Sequence, residues 1–158
     1  ISMLPATEQV ILPISLTHVV KRLEVLAARV LTISLLQSLN QHFEGIEKDE
    51  HGKPFLRNSS FHLSQSHSYP YVAVIVSSEK NVGIDIEQPR ATLIRVAHRV
   101  FNEIELSGNS TDLTKLCLLW CAKETLIKLY GKKDLALKEQ LFIPSFTVKS
   151  TGSLTGII

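Results

Sequence analysis

The sequence predicts an α+β fold of two similar halves, residues 1–80 and 81–158, each pairing a long helix with a small antiparallel sheet. Two observations carry that prediction. A stretch with helical periodicity is followed by short segments with strand periodicity, and this order, helix then strands, occurs twice. The chain has 158 residues, 44% hydrophobic and 20% charged, enough to bury a core in one domain or in two small halves that share one.

Taken in order, Val10 to Ser15 reads as a short strand that Pro13 confines to an edge. Thr17 can cap a helix that runs to about Phe43, with Leu23, Leu26, Ala27, Val30 and Leu31 on its apolar side. Lys21, Arg22 and Arg29 project from the other sides, as surface bases or as an edge facing an anion. Ile46-Glu47-Lys48 is a strand leading into a turn at Asp49-Glu50-His51-Gly52. Pro54 biases Lys53 away from helix, so Lys53 to Leu56 leaves the turn extended. Phe61 to Ser68 starts as a strand and ends in a loop, Ser66-His67-Ser68. Tyr71 to Val76 is apolar throughout and reads as a strand buried on both faces. It is expected to form a hairpin with Val82 to Glu87 across the turn from Ser77 to Asn81.

In the second half, Thr92 can cap a helix to about Asn102 that aligns Leu93, Val96, Ala97 and Val100. That face is either core or an apolar patch for a partner. Gly108-Asn109-Ser110 is a loop, and Thr111 or Asp112 starts a helix that Gly131 stops. Leu116, Leu119, Leu126 and Leu129 are expected to hold this helix in the core, and Lys132 and Lys133 follow it. Phe142 to Val148 is the last strand, with Pro144 inside it.

Several classes lose weight at once. A net charge of +2 is too small to argue for nucleic acid. No apolar run approaches the roughly 20 residues that cross a membrane. Ile1-Ser2-Met3-Leu4-Pro5 lacks the basic and apolar regions of a signal peptide, so a cytoplasmic protein is expected. The start on Ile1 and the end after Ile158 fit a sequence trimmed at either terminus. Cys117 and Cys121 share a helix face but lack two further ligands at metal-site spacing; they read as free thiols.

The stretch that organises the rest is Val82-Gly83-Ile84-Asp85-Ile86-Glu87. Strand alternation puts Ile84 and Ile86 on one face, Asp85 and Glu87 on the other. Two carboxylates side by side repel unless a cation lies between them, and oxygen ligands suit a hard cation such as magnesium. A half-exposed strand with two solvated acids is the plainer reading. Downstream, Trp120, Glu124 and Lys128 are spaced four apart and line one helix face, and Lys123 adjoins the glutamate.

Gly83-Ile84-Asp85-Ile86-Glu87, followed by Trp120-Cys121-Ala122-Lys123-Glu124 and Lys128, resembles the signature of the 4'-phosphopantetheinyl transferases. Gly52-Lys53-Pro54 and Ser66-His67-Ser68 resemble further motifs of the surfactin-synthetase-activating type. Ser66 is aligned rather than Ser64 because a histidine must follow the serine. Lys21, Arg22 and the Arg29 of Leu26-Ala27-Ala28-Arg29 resemble its N-terminal basic positions.

The resemblance implies transfer of the phosphopantetheine arm of coenzyme A to a serine of an acyl- or peptidyl-carrier protein, with release of 3',5'-adenosine bisphosphate. It implies magnesium, or manganese, held by Asp85, Glu87 and Glu124. It puts Arg29, Lys53, Pro54, Ser66, His67, Asp85, Lys123 and Lys128 on the coenzyme, at a site between the halves. Glu124 is the first choice of base and Glu87 the second, and Lys128 would assist the leaving group. Both halves in one chain imply a monomer, serving fatty-acid, polyketide or nonribosomal peptide synthesis, with no nucleic-acid or membrane partner. Two rivals stand beside this. A metal-dependent phosphoesterase or nuclease commonly has a lysine two residues after the strand glutamate, where this chain has Gln88-Pro89. A non-catalytic carrier-protein or nucleotide-binding module need not keep three acids.

Overall fold

The computed structural model describes residues 19–107, 110–132 and 134–158. The expectations for Val10 to Ser15, Thr17, Gly108-Asn109 and Lys133 lie outside those residues. The chain divides into two compact units, the first ending at Ile86 and the second running from Glu87 to Ile158. Helices and small antiparallel sheets make up an α+β architecture.

The first unit holds helix α1 (Val19–Ser38) and strands β1 (Ile46–Lys48), β2 (Pro54–Leu56), β3 (His62–Ser68) and β4 (Tyr71–Ser77). α1 ends five residues before Phe43, and Asn40 follows it with a positive φ of 55°. Strands β1 and β2 pair antiparallel, Ile46 opposite Leu56. The turn between them closes as its residues dictate. Asp49 accepts from the amides of His51 and Lys53, and Gly52 takes a φ of 83°, which suits a residue without Cβ. Strands β3 and β4 form the longer hairpin, from His62 opposite Ser77 to Ser68 opposite Tyr71, around Tyr69-Pro70. Leu36, Leu56 and Leu63 are the buried centre, with Phe43, Ile46, Phe61, Val74 and Val76 packed around them. Each such leucine contributes about 1.5–3 kcal/mol on burial.

Four expectations are corrected here. The helix does not bury the side carrying Leu23 and Leu31, which are exposed; it buries Glu24, Ala28, Thr32, Ile33 and Leu36. The reason is polar cross-linking to β3. Gln65 donates to the Thr32 hydroxyl at 2.9 Å, and Thr32 donates to Ala28 O at 2.7 Å, so the polar stripe faces inward. Ser66-His67-Ser68 is strand, not loop, because β4 pairs with it to the last residue. The partner of β4 is therefore β3, and Val82 to Glu87 is not a strand. The amides of Ile84 and Ile86 instead donate to the side-chain hydroxyls of Ser64 and Ser66, at 3.1 and 3.3 Å. β4 is half-buried along most of its length rather than sealed on both faces.

The second unit holds helices α2 (Thr92–Val100), α3 (Glu103–Leu106) and α4 (Leu113–Tyr130). Asp112 caps α4 through the Lys115 amide, and Gly131 ends it at a φ of 81°. Thr92 is the first residue of α2 and not its cap; Ala91 precedes it without a side-chain bond. The short helix α3 is new. Asn102 and Glu105 cap it reciprocally, each side chain taking the other's backbone amide at 2.9 Å. The core is Leu93, Ala97, Val100, Phe101, Leu106, Leu116, Cys117, Leu119 and Ile143. The apolar side of α2 is thus core. Leu126 packs on this core, whereas Leu129 is exposed. The strand expected from Phe142 to Val148 reduces to one bridge, Phe142 with Ile157. Pro144 has no amide to continue a ladder.

Candidate functional site

Strand alternation sorts the polar residues of β3 into two groups. Gln65 and His67 turn toward α1; Ser64 and Ser66 turn toward residues 84–86. Ser66 and His67, adjacent in sequence and expected to act together on the coenzyme, consequently do different things. The Ser66 hydroxyl donates to Asp85 Oδ1 at 2.8 Å while accepting from the Ile86 amide, and the serine is buried. That arrangement orients one of the predicted metal ligands.

His67 meets α1. Its Nδ1 is 3.1 Å from Glu24 Oε2, and its Nε2 is 2.6 Å from the Lys21 ammonium. Lys21 is also 3.6 Å from Glu24. The structure so brings together Lys21 and His67, two of the bases that the sequence nominated, around an acid that the sequence reading passed over. Glu24 carried a signal: it stands four and eight residues before Ala28 and Thr32, on the stripe that is buried. Arg29 lies on the same helix, half-buried. Lys53 and Pro54 lie where the β1–β2 turn enters β2, the Lys53 amide held by Asp49.

In the second unit, the Glu87 carboxylate accepts from the Gln88 amide at 2.7 Å and lies 4.0 Å from Arg90. The Cys117 thiol of α4 donates to the Glu87 carbonyl. Cys117 and Glu124 are seven residues apart on α4, two turns along one face, and Lys128 continues that face four residues later. Cys121 is half-buried and, like Cys117, is not in a disulfide.

Lys123 departs from its expected role. Its side chain is 0% exposed, and its ammonium donates to Glu105 Oε2 at 2.7 Å, Leu137 O at 2.7 Å and Val100 O at 3.1 Å. All three donors are committed inside the protein, so in this structure Lys123 has none to offer a phosphate. Glu105 is equally committed. Its second oxygen accepts from the Ile143 amide at 2.9 Å, and the first also takes the Asn102 amide. Asn102-Glu103-Ile104-Glu105 has the spacing of a capping box, the one sequence signal that pointed to this glutamate.

The three predicted metal ligands, Asp85, Glu87 and Glu124, offer only carboxylate oxygens, the donor type that suits magnesium. Among the described residues no group of three or more His, Cys, Asp or Glu forms a metal cluster.

Residues 81–154 match the family profile described as the 4'-phosphopantetheinyl transferase superfamily. This part of the chain is similar to that superfamily. The chain is 34% identical over 105 residues to 4'-phosphopantetheinyl transferase gsp of Aneurinibacillus migulanus, covering 62% of this chain and 44% of that protein. It is 32% identical over 120 residues to 4'-phosphopantetheinyl transferase AcpT of Salmonella typhi, covering 71% of this chain and 60% of the relative. The chain therefore spans less than two thirds of either relative's length. The superfamily match takes in Asp85, Glu87, Glu105, Lys123, Glu124 and Lys128, whereas Arg29, Lys53, Ser66 and His67 precede it. No helix among the described residues is long and apolar enough to cross a membrane.

Proposed function

We propose that this chain transfers the 4'-phosphopantetheine arm of coenzyme A to a serine hydroxyl of an acyl- or peptidyl-carrier protein, as the surfactin-synthetase-activating type does. The observation that carries this reading is that a single superfamily match contains all three acids together with Lys128. In the reaction the serine oxygen bonds to the β-phosphorus of the coenzyme's diphosphate. The bridging P–O bond breaks, and its electron pair leaves with 3',5'-adenosine bisphosphate.

Glu124 takes the serine proton at its carboxylate, and Glu87 is the second choice. Lys128, one turn along α4 from Glu124, offsets charge on the departing phosphate. Lys53, His67 and Arg29 hold the coenzyme's phosphates through charge-assisted hydrogen bonds. Ser66 keeps Asp85 in place rather than touching ligand, and Lys123 supports the core. Asp85, Glu87 and Glu124 would hold magnesium, or manganese, which when bound supplies Lewis-acid stabilisation of the diphosphate. The enzyme would act in the cytoplasm as a monomer.

The test is incubation with coenzyme A, magnesium and an apo carrier protein, followed by mass spectrometry of the carrier. The expected result is a mass gain of one phosphopantetheine arm that excess chelator abolishes. Cleavage of the coenzyme or of nucleic acid without transfer would make the protein a hydrolase. Binding with no chemistry would make it a module.

A further inference from the structure

We propose that Cys117 is a positioning residue: its buried thiol ties the backbone of Glu87 to α4, so that Glu87 is held in register with Glu124, the other predicted metal ligand of the second unit. The cation rests on the transferase reading; the tie itself stands on a contact within that unit.

Glu87 stands outside every helix and strand, and Pro89, two residues on, has no amide. No regular ladder fixes the Glu87 carbonyl, yet a partly buried peptide carbonyl needs a donor. The Cys117 thiol supplies one, at 3.4 Å. Cys117 is 6% exposed and belongs to the core of this unit. A hydroxyl inside a helix commonly bonds to the carbonyl four residues back, as Thr32 does to Ala28 at 2.7 Å. Cys117 instead sends its donor out of α4, to a residue 30 positions earlier. A thiol is a weak donor, so this bond bears more on where Glu87 sits than on how stably the chain folds.

The tie to the backbone reaches the carboxylate. Glu87 Oε1 accepts from the next amide, that of Gln88, at 2.7 Å, so the side chain is closed onto its own backbone. Where the carbonyl is anchored, the carboxylate follows. Cys117 and Glu124 are seven residues apart on α4, about 10 Å along its axis. A helical side chain leans over the turn amino-terminal to its own Cα, which carries Glu124 back by about one turn. What is left is about 5 Å, a gap that a glutamate anchored at Cys117 can cover. One face of α4 thus holds Glu124 directly and Glu87 through a thiol. Cys117 touches neither cation nor coenzyme in this arrangement; its effect passes through Glu87.

The experiment uses the full chain and two readouts. The first is the Kd for manganese, read from the EPR signal of the free ion with neither coenzyme nor carrier present. The second is carrier modification as a function of magnesium concentration. Cys117→Val keeps the core filled and removes the donor, whereas Cys117→Ser keeps a donor. Cys117→Val should melt close to wild type and bind manganese about 10-fold more weakly, the lower end of what losing an outer partner costs a metal site. Half-maximal transfer should need about 10-fold more magnesium, with kcat at saturating metal within about two-fold, because metal binding and not chemistry is affected. Cys117→Ser should restore most of the manganese affinity. If Cys117→Val does not fold, Cys117→Ala gives the same readouts. Unchanged manganese affinity without the thiol, or an equal loss in Cys117→Ser, would overturn the proposal. A wild-type protein that binds no manganese would remove the cation and this role for Cys117 with it. A wild-type protein that binds manganese but transfers nothing would sink the transferase reading instead and leave the manganese comparison to decide the role of Cys117.

Discussion

Each unit contains a lysine–glutamate contact, and the two have opposite characters. In the first, Lys21 reaches Glu24 at 3.6 Å with much of its side chain in water. In the second, Lys123 meets Glu105 at 2.7 Å with neither side chain exposed. The outer lysine shares its ammonium with an imidazole and can trade either partner for a ligand. The inner lysine joins the carbonyl groups of Val100 and Leu137 to Glu105, tying α4 to the end of α2 and to the segment after α4. A buried pair is sharply sensitive to loss of one member, whereas an exposed pair adds little. Position in the fold, and not residue type, decides whether a lysine supports structure or meets solvent.

The comparison breaks first at Lys123 if it is wrong. Lys123→Met should destabilise the protein by about 3–5 kcal/mol, because Glu105 keeps its charge and two carbonyls lose their donor. Denaturant unfolding measures this, and a loss under about 1 kcal/mol would put Lys123 with the exposed class.

Next in size is its neighbour. Glu124→Gln should fold and melt close to wild type yet slow carrier modification by at least about 100-fold, the usual cost of a lost general base. Wild-type turnover in a folded Glu124→Gln protein would pass the role of base to Glu87. Adjacent residues on α4 would then differ completely, one read by melting and the other by rate.

A smaller effect is expected at Ser66. Ser66→Ala removes the donor to Asp85 and the acceptor for the Ile86 amide, and should cost about 1–3 kcal/mol with reduced transfer. The smallest change belongs to Lys21→Ala, under about 1 kcal/mol in stability. Its consequence should appear instead as weaker coenzyme A binding in a titration.

Much of this was legible before any coordinates. The turn at Asp49 to Gly52 and the ends of α4 at Asp112 and Gly131 followed from local chemistry, where one side chain or one positive φ decides the outcome. The pairing of β4 was not legible. Val82 to Glu87 alternates as a strand should, but nothing local says that its amides will find serine hydroxyls rather than a backbone ladder. The buried side of α1 was misread for a related reason. Its leucines mark one stripe, yet Glu24 and Thr32 find partners on β3, and satisfying them turns the helix. Among the candidate site residues, the position of Glu124 on α4 was readable from spacing of four. The burial of Lys123 was not, because its carbonyl partners Val100 and Leu137 lie 23 and 14 residues away in sequence.

The two serine bonds to residues 84 and 86 carry a consequence for how this chain tolerates changes of length. Ser64 and Ser66 stand two residues apart, as do the amides that they receive, so the contact works like two teeth of a rack. Extra residues inserted between Ser78 and Asn81 would leave both teeth engaged, with the added length bulging into the turn. One residue added at Asp85 itself would disengage a tooth and carry the carboxylate away from Ser66. Length variation should therefore gather on the amino-terminal side of Val82 and be excluded between Ile84 and Ile86, whatever side chains occupy the stretch.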